Sequence, residues 1–92
     1  MKKKNPRASQ SKSLYELQAE LCSALASPVR LHILDLLSEG EMTATDLLEI
    51  LEIPKANLSQ HLAVLKDSEI IQSRKKGLFQ YMSLAVPKIK DA

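Results

Sequence analysis

The chain has 92 residues and a formal net charge of +2, and 45% of its residues are hydrophobic. This length predicts one small domain, and no apolar run approaches the roughly 20 residues that a membrane-spanning helix needs. The single cysteine excludes an internal disulfide, and no hydrophobic segment follows the charged N-terminus as it does in a secretory signal, so we expect a cytoplasmic protein.

Charge is distributed unevenly along the chain. Residues 1–13 carry five bases and no acid, residues 14–52 carry eight acids and one base, and residues 53–92 carry seven bases and three acids. We expect a basic, disordered tail over residues 1–12 and a folded domain over residues 13–92. The tail is either a solubilising segment or an arm that binds the minor groove or follows phosphates. The basic C-terminal part suits a polyanionic partner.

The first predicted helix runs from about Leu14 to Leu25, with Ser13 as its cap and leucines at helical spacing. Its apolar surface is wider than a small domain can easily hide. The surface is therefore either a dimer contact or packs on its own domain. The residues of this candidate dimer face are Leu14, Leu17 and Leu21.

The second predicted helix begins at Pro28, with Ser27 as its cap, and ends before Gly40. Proline fits the first position of a helix because its missing N–H has no partner there in any case. Arg30 and His32 are predicted to point outward. The inward positions are Val29, Ile33, Leu36 and Leu37.

Two short amphipathic helices joined by a tight turn are predicted between Thr43 and Leu65. Thr43 can cap the first, and Asp46 three residues later completes a capping box. The apolar stripe of this helix is Leu47, Ile50 and Leu51. The second helix is expected to start at Pro54, and its inward stripe is Leu58, Leu62 and Leu65.

The outer face of that second helix carries short or hydrogen-bonding side chains, which is typical of a helix that reads the DNA major groove. The alternative is an ordinary solvated face. The outward positions are Lys55, Ala56, Asn57, Ser59, Gln60 and His61. We expect Asn57 and Gln60 to contact base edges, and Lys55 and Ser59 to contact phosphates. His61 is either a phosphate or base contact or a packing residue.

Residues 70–74 and 78–84 predict two short strands of a hairpin, with Gly77 supplying the positive φ of the turn. Three bases lie at the predicted tip with no nearby acid to neutralise them, so we expect them to contact phosphates: Arg74, Lys75 and Lys76. We expect Phe79 and Tyr81 to fill the core of the sheet, and the alternative is that they stack on bases. Gln80 is a further candidate DNA contact.

The sequence resembles the ArsR-type (ArsR/SmtB) family of winged-helix bacterial repressors. LCSALASPVRLHILDLL resembles the family signature in the first two helices, and NLSQHLAVLKDSEIIQSRKKGLFQYMSL resembles its recognition helix and wing. The resemblance implies a mainly helical winged helix-turn-helix of order α-α-α-α-β-β-α. It also implies a homodimer, formed largely by the first and last helices, that blocks transcription at a palindromic operator and releases DNA when an effector binds.

The chain departs from the family pattern at the sensing positions. Metal-sensing members carry a Cys-x-Cys pair where this chain has Thr43 and Thr45, and hydroxyl groups are poor ligands for thiophilic ions. No His or Glu follows Gln72, so the site that other members build from Asp, His and Glu of their terminal helices is absent. We therefore expect no metal and no cofactor.

Cys22 is the remaining candidate sensor. As a free cysteine it is either a small buried hydrophobe or a reactive thiol. In the second case, it would join another cysteine, from a dimer mate or from chain beyond residue 92, to bind a soft metalloid or report the redox state.

The sequence shows no arrangement typical of an enzyme. The two glycines form no phosphate-binding loop, and no nucleophile, base and acid occur in a catalytic pattern. We therefore expect a dimeric, sequence-specific DNA-binding repressor. The alternative is a winged helix that binds another protein instead of DNA, because a fold does not by itself determine a function.

Overall fold

The structure is a computed structural model that describes residues 13–85. Within them, four helices and three strands follow one another in the order α-α-β-α-α-β-β, which confirms the predicted winged helix-turn-helix. The tail over residues 1–12 and the helix expected from Pro87 lie outside the described residues. The elements are α1 (Leu14–Leu25), α2 (Pro28–Leu37), β1 (Met42–Thr43), α3 (Ala44–Leu51), α4 (Lys55–Asp67), β2 (Ile71–Lys76) and β3 (Phe79–Leu84).

Side-chain caps start three of the helices where the sequence predicts them. Ser13 Oγ accepts from the Glu16 backbone N–H at 3.1 Å, and Thr43 Oγ1 accepts from that of Asp46 at 3.1 Å. In both cases the acid bonds back to the cap's own N–H, which completes a capping box. Ser27 caps α2, and Pro28 takes its first position. Helix α4 begins one residue later than predicted, with Pro54 as its cap.

The core lies where α2, α3 and α4 meet one face of the sheet. Its buried residues come from every one of these elements: Ile33, Leu37, Leu47, Leu58, Leu62, Leu65, Ile71 and Met82. The α4 stripe is therefore buried as predicted. Half-buried residues such as Val29, Leu36 and Leu51 pack against this cluster.

Ile50 is an exception, since it was predicted to lie inward on α3 and is 46% exposed. Helix α3 contacts the core through Leu47, while Leu51 is half-buried. Ile50 is left at the margin of this contact, where it lines a shallow groove with Leu36 and Met42.

The strands form an antiparallel sheet in the order β1-β3-β2. Strand β1, which the sequence analysis did not predict, pairs Met42 with Met82. The hairpin is longer than predicted, because Lys75 and Lys76 belong to β2, so only Gly77 and Leu78 form the turn. Gly77 has the predicted positive φ, at 63°.

The prediction that Phe79 and Tyr81 fill the sheet core is wrong. Side chains alternate along a strand, and the core side of β3 carries Met82, which is 2% exposed. Phe79 and Tyr81 therefore lie on the opposite face, where Phe79 is 52% exposed. The register follows the buried Ile71 and Met82, so the aliphatic side chains determine which face is inward.

Helix α1 packs on α2 at the edge of this core. Of its twelve residues only Ala24 is buried. Its predicted apolar face is exposed and carries Leu14, Leu17, Leu21 and Leu25. None of the helices in the described part of the chain is long and apolar enough to span a membrane.

Candidate nucleic-acid interface

The outer face of α4 is exposed and almost free of charge. The leucine stripe fixes its inner side, and at about 100° per residue Ala56 and Gln60 lie roughly opposite Leu58. Residues 56–65 contain no Asp, Glu, Lys or Arg. The exposed side chains in the first half of the helix are Lys55, Ala56, Asn57, Ser59 and Gln60. Small side chains between amides leave room for close approach by a base edge.

The N-terminal end of α4 has no side-chain cap. The N–H groups of Asn57 and Leu58 bond to the Pro54 carbonyl oxygen at 3.0 and 3.1 Å. Unlike α3, whose first turn is closed by a carboxylate, this end of α4 carries no acid in its first turn. Its partial positive charge is thus compatible with an approaching phosphate.

His61 does not belong to the outer face. It is half-buried, and its Nδ1 lies 3.2 Å from Nη1 of Arg30. The prediction that His61 points outward is therefore wrong, and the packing alternative describes it better.

Arg30 was predicted to point outward and is instead half-buried. It donates to the carbonyl oxygens of Ser23 and Ala24 as well as lying against His61. Arg30 lies in the first turn of α2, one residue after a position that faces the core. Nothing at this position in the sequence indicated that its side chain would contact α1 and α4. The partners come from α1 and α4, which are six to 31 residues away.

The hairpin formed by β2 and β3, which we call the wing, presents two exposed lysines near its tip. Lys75 and Lys76 are exposed, and Leu78 in the turn is 94% exposed. The described residues include no salt bridge to either lysine. Both therefore remain available to an anion.

Arg74 differs from the two lysines, because an acid neutralises it. Its Nε and Nη2 donate to the Glu41 carboxylate at 2.8 and 2.9 Å, and its guanidinium lies 5.3 Å from the centre of the Tyr81 ring. The expectation that no acid is near Arg74 is wrong. Glu41 precedes β1 in the chain, and the unpredicted pairing of β1 with β3 brings it beside the wing. Separation in sequence concealed this contact.

The ion pair between Glu41 and Arg74 ties the middle of the wing to the segment that precedes β1. The hydrogen bonds from Arg74, with further attraction from Arg74 and Lys76, hold the pKa of Glu41 below its ordinary value. The same bond raises the pKa of Arg74. The contribution of Glu41 to wing stability is therefore full above its ordinary pKa and is lost as the pH falls through the lowered value. Both groups are solvent-exposed, so the contribution is small.

The remaining predicted contact, Gln80, is exposed on β3 opposite Lys75. Its amide nitrogen donates to Ser73 Oγ at 3.3 Å. This bond orients the amide along the sheet, and the rest of the side chain remains accessible.

The candidate sensing residues are not brought together. The interpretation of Cys22 as a buried hydrophobe is wrong within residues 13–85, because Cys22 is exposed on α1, about 200° around the helix from Ala24. Thr43 Oγ1 is occupied as the α3 cap, and Thr45 and His32 are exposed. Among the described residues, no group of three or more His, Cys, Asp or Glu side chains could hold a metal ion.

Comparison with known proteins places this geometry among regulators. The family described as "Bacterial regulatory protein, arsR family" matches residues 27–73, from the α2 cap into β2. The transcriptional repressor SdpR of Bacillus subtilis is 44% identical over 69 residues, which are 75% of this chain and 77% of SdpR.

Solved structures agree with the sequence relatives. The crystal structure of Mycobacterium tuberculosis Rv0081 has a TM-score of 0.77 and 36% identity, covering 88% of this chain and 82% of that one. The homodimeric winged helix-turn-helix DNA-binding domain of Mb0332 from Mycobacterium bovis, a possible ArsR-family regulator, has a TM-score of 0.79 and 27% identity, covering 99% and 82%.

Proposed function

The chain belongs to the arsR family of bacterial regulatory proteins, which are DNA-binding transcriptional regulators, and we propose that it represses transcription as a homodimer on a palindromic operator. The observation that carries this proposal is the exposed polar face of α4, which has Lys55 as its one charge, beside a wing whose Lys75 and Lys76 form no salt bridge within residues 13–85. Such a regulator works in the cytoplasm, where bacterial DNA lies, and the proposal assigns it no catalytic step.

In this proposal α4 reads the sequence. Asn57 and Gln60 contact base edges, since an amide can donate to and accept from adenine at the same time. Ala56 lies about one turn before Gln60 on the same face and permits close approach. Lys55 and Ser59 contact the phosphates that border the groove. The almost charge-free face supports this assignment, because charged side chains would add affinity for any sequence.

The wing supplies affinity without reading bases. Lys75 and Lys76 contact phosphates, and Gln80 lies on the same hairpin beside them. Glu41 already occupies the Nε and Nη2 edge of Arg74, so a phosphate either uses the remaining Nη1 donors or displaces Glu41. The two lysines are therefore the sharper test of the wing.

The dimer is proposed to form through α1. Its exposed leucines make an apolar surface that a second copy can cover, and the M. bovis neighbour is homodimeric. The family resemblance adds release by an effector. No cluster of ligands in the described residues identifies that effector, and exposed Cys22 leaves thiol chemistry as one candidate.

The experiment starts by selecting duplexes from a random pool with the purified chain, and we expect a palindromic site. Affinity for that duplex is then measured over a range of salt concentrations. Each phosphate contact contributes about 0.9 to the slope of log K against log salt. We expect Lys75→Ala and Lys76→Ala each to reduce the slope by about two, because the dimer carries each lysine twice, with sequence preference unchanged.

The matched control is Lys66→Ala, which removes the same charge from the last turn of α4. It should leave the slope unchanged, because that end of the helix lies away from the proposed groove contacts. An equal reduction in all three variants would mean that net charge alone acts and would remove the wing from the interface. Absence of duplex binding by the wild type at low salt would favour the alternative protein-interaction module.

A further inference from the structure

The Arg30 side chain holds the C-terminal end of α1. Its Nε donates to the Ala24 carbonyl oxygen at 2.5 Å, and its Nη2 donates to that of Ser23 at 3.1 Å. The last carbonyl groups of a helix have no partner within the helix. Helix α1 has no basic residue in its own last turn. Arg30 therefore supplies, from α2, the cation that the negative end of α1 favours.

The same guanidinium also reaches the recognition helix. Its Nη1 lies 3.2 Å from Nδ1 of His61, near the middle of α4. A guanidinium only donates hydrogen bonds, so Nδ1 is the acceptor and carries no proton. His61 is thus held in one tautomer, with its proton on Nε2, and one planar group joins three helices.

This junction matters because the burial of α1 against the rest of residues 13–85 is incomplete. Ala24 is the only buried residue of α1 within residues 13–85, and Leu17, Leu21 and Leu25 keep 45%, 43% and 37% of their surface exposed. Because these leucines are only partly covered, polar contacts also contribute to the direction of α1. The fork of hydrogen bonds from Arg30 fixes the direction of α1 relative to α4, which a lysine with one terminal nitrogen could not do.

We propose that Arg30 is a positioning residue for DNA recognition, with His61 as its acceptor on α4. The inference rests on the proposed function, in which α1 forms the dimer and α4 enters the groove. Two α4 helices then face two half-sites, and their separation depends on the angle between α1 and α4 in each copy. Arg30 fixes that angle and so determines which half-site spacing the dimer accepts.

The spacing of a palindrome is a sensitive measure of this angle. Inserting or deleting one base pair moves the half-sites by about 3.4 Å and rotates them by about 34°. A rigid dimer discriminates strongly against such duplexes, and a dimer with mobile recognition helices does not. The ratio of two affinities is also independent of the fraction of active protein, so a variant that merely lowers stability leaves the ratio unchanged.

The experiment measures binding to the palindrome recovered by selection and to versions with the spacer one base pair longer or shorter. We expect the wild type to prefer the selected spacing by about tenfold or more, a penalty comparable to one mismatched base pair. Arg30→Lys keeps the charge but loses the fork, and His61→Ala removes the acceptor. Both should reduce the preference to about threefold or less. Sedimentation confirms that each variant is still dimeric.

Two further variants act as controls. His61→Asn places an amide oxygen near the position of Nδ1 and should retain the wild-type preference. His32→Ala removes an exposed histidine from α2 and should also retain it. A wild-type preference in both Arg30→Lys and His61→Ala would overturn the assignment of Arg30. Failure of the wild type to bind any duplex would instead refute the proposed function. His61→Ala keeps the test valid if Arg30→Lys does not fold.

Discussion

Helices α1 and α4 have nearly the same length, 12 and 13 residues, and both carry leucines at helical spacing. Their leucines nevertheless end in different environments. Leu65 on α4 is 0% exposed, whereas Leu21 on α1 is 43% exposed. Periodicity thus predicts that a stretch is helical and that one side is apolar. It does not tell what covers that side.

The two helices also start differently. Ser13 and Glu16 close the first turn of α1 with a capping box, while no side chain caps α4. Local hydrogen bonds therefore stabilise the helix that lacks burial, and burial stabilises the helix that lacks a cap. Helix α4 is therefore stabilised by packing within its own chain, whereas α1 has an exposed apolar face that a second copy can cover.

The largest effect is expected for Leu65→Ala on the buried side of α4. Removing a fully buried leucine side chain costs about 2–5 kcal/mol, because both the transfer energy and the packing of its neighbours are lost. Urea unfolding followed by circular dichroism should show this loss at every protein concentration. A loss below about 1 kcal/mol would mean that the α4 stripe is not the centre of the core.

The matched substitution Leu21→Ala should weaken the dimer and leave the monomer nearly unchanged. Leu21 is 43% exposed, so a dimer partner can bury somewhat less than half of its side chain. Burying that surface stabilises the dimer by roughly 1 kcal/mol for each copy. An isologous interface counts the change twice, so the dimer dissociation constant should rise about 30-fold. Sedimentation at several protein concentrations measures it.

The outcome of Leu21→Ala distinguishes the two uses of α1. If the unfolding free energy of the dilute monomer falls as far as it does in Leu65→Ala, then α1 packs on its own domain. The contrast between the helices would then be wrong. If only the concentration dependence changes, a second copy covers α1.

Local signals in the sequence predicted most of the backbone. Ser13, Ser27 and Thr43 cap helices as expected, and Gly77 adopts the positive φ of the hairpin turn. These features depend on neighbours within a few residues, so they can be predicted from the sequence alone. The exposed face of α4 followed from the same periodicity.

Contacts between distant residues could not be predicted in this way. The pairing of β1 with β3 brings Glu41 to Arg74, which are 33 residues apart, and the packing of α2 on α4 brings Arg30 to His61. The inward face of the wing was also assigned wrongly, since aromatic residues were preferred over Met82 as core. In each case the contact depends on how distant elements pack or pair, and a single sequence does not show that arrangement.

The smallest effect is expected for a substitution on the outer face of α4. Such a substitution tests DNA recognition separately from stability, on the same helix as Leu65. Gln60→Ala should leave the unfolding free energy unchanged, because Gln60 is exposed. Loss of one amide contact should relax the preference at one base pair of each half-site by about tenfold, at the lower end of what a bidentate contact contributes. Competition binding with all four bases at each position measures this preference. Gln72→Ala, an exposed glutamine on β2, is the control and should retain the full preference. If Gln60→Ala instead weakened binding to every sequence equally, Gln60 would contact the backbone of DNA, and reading of bases would have to come from Asn57 or another residue of α4.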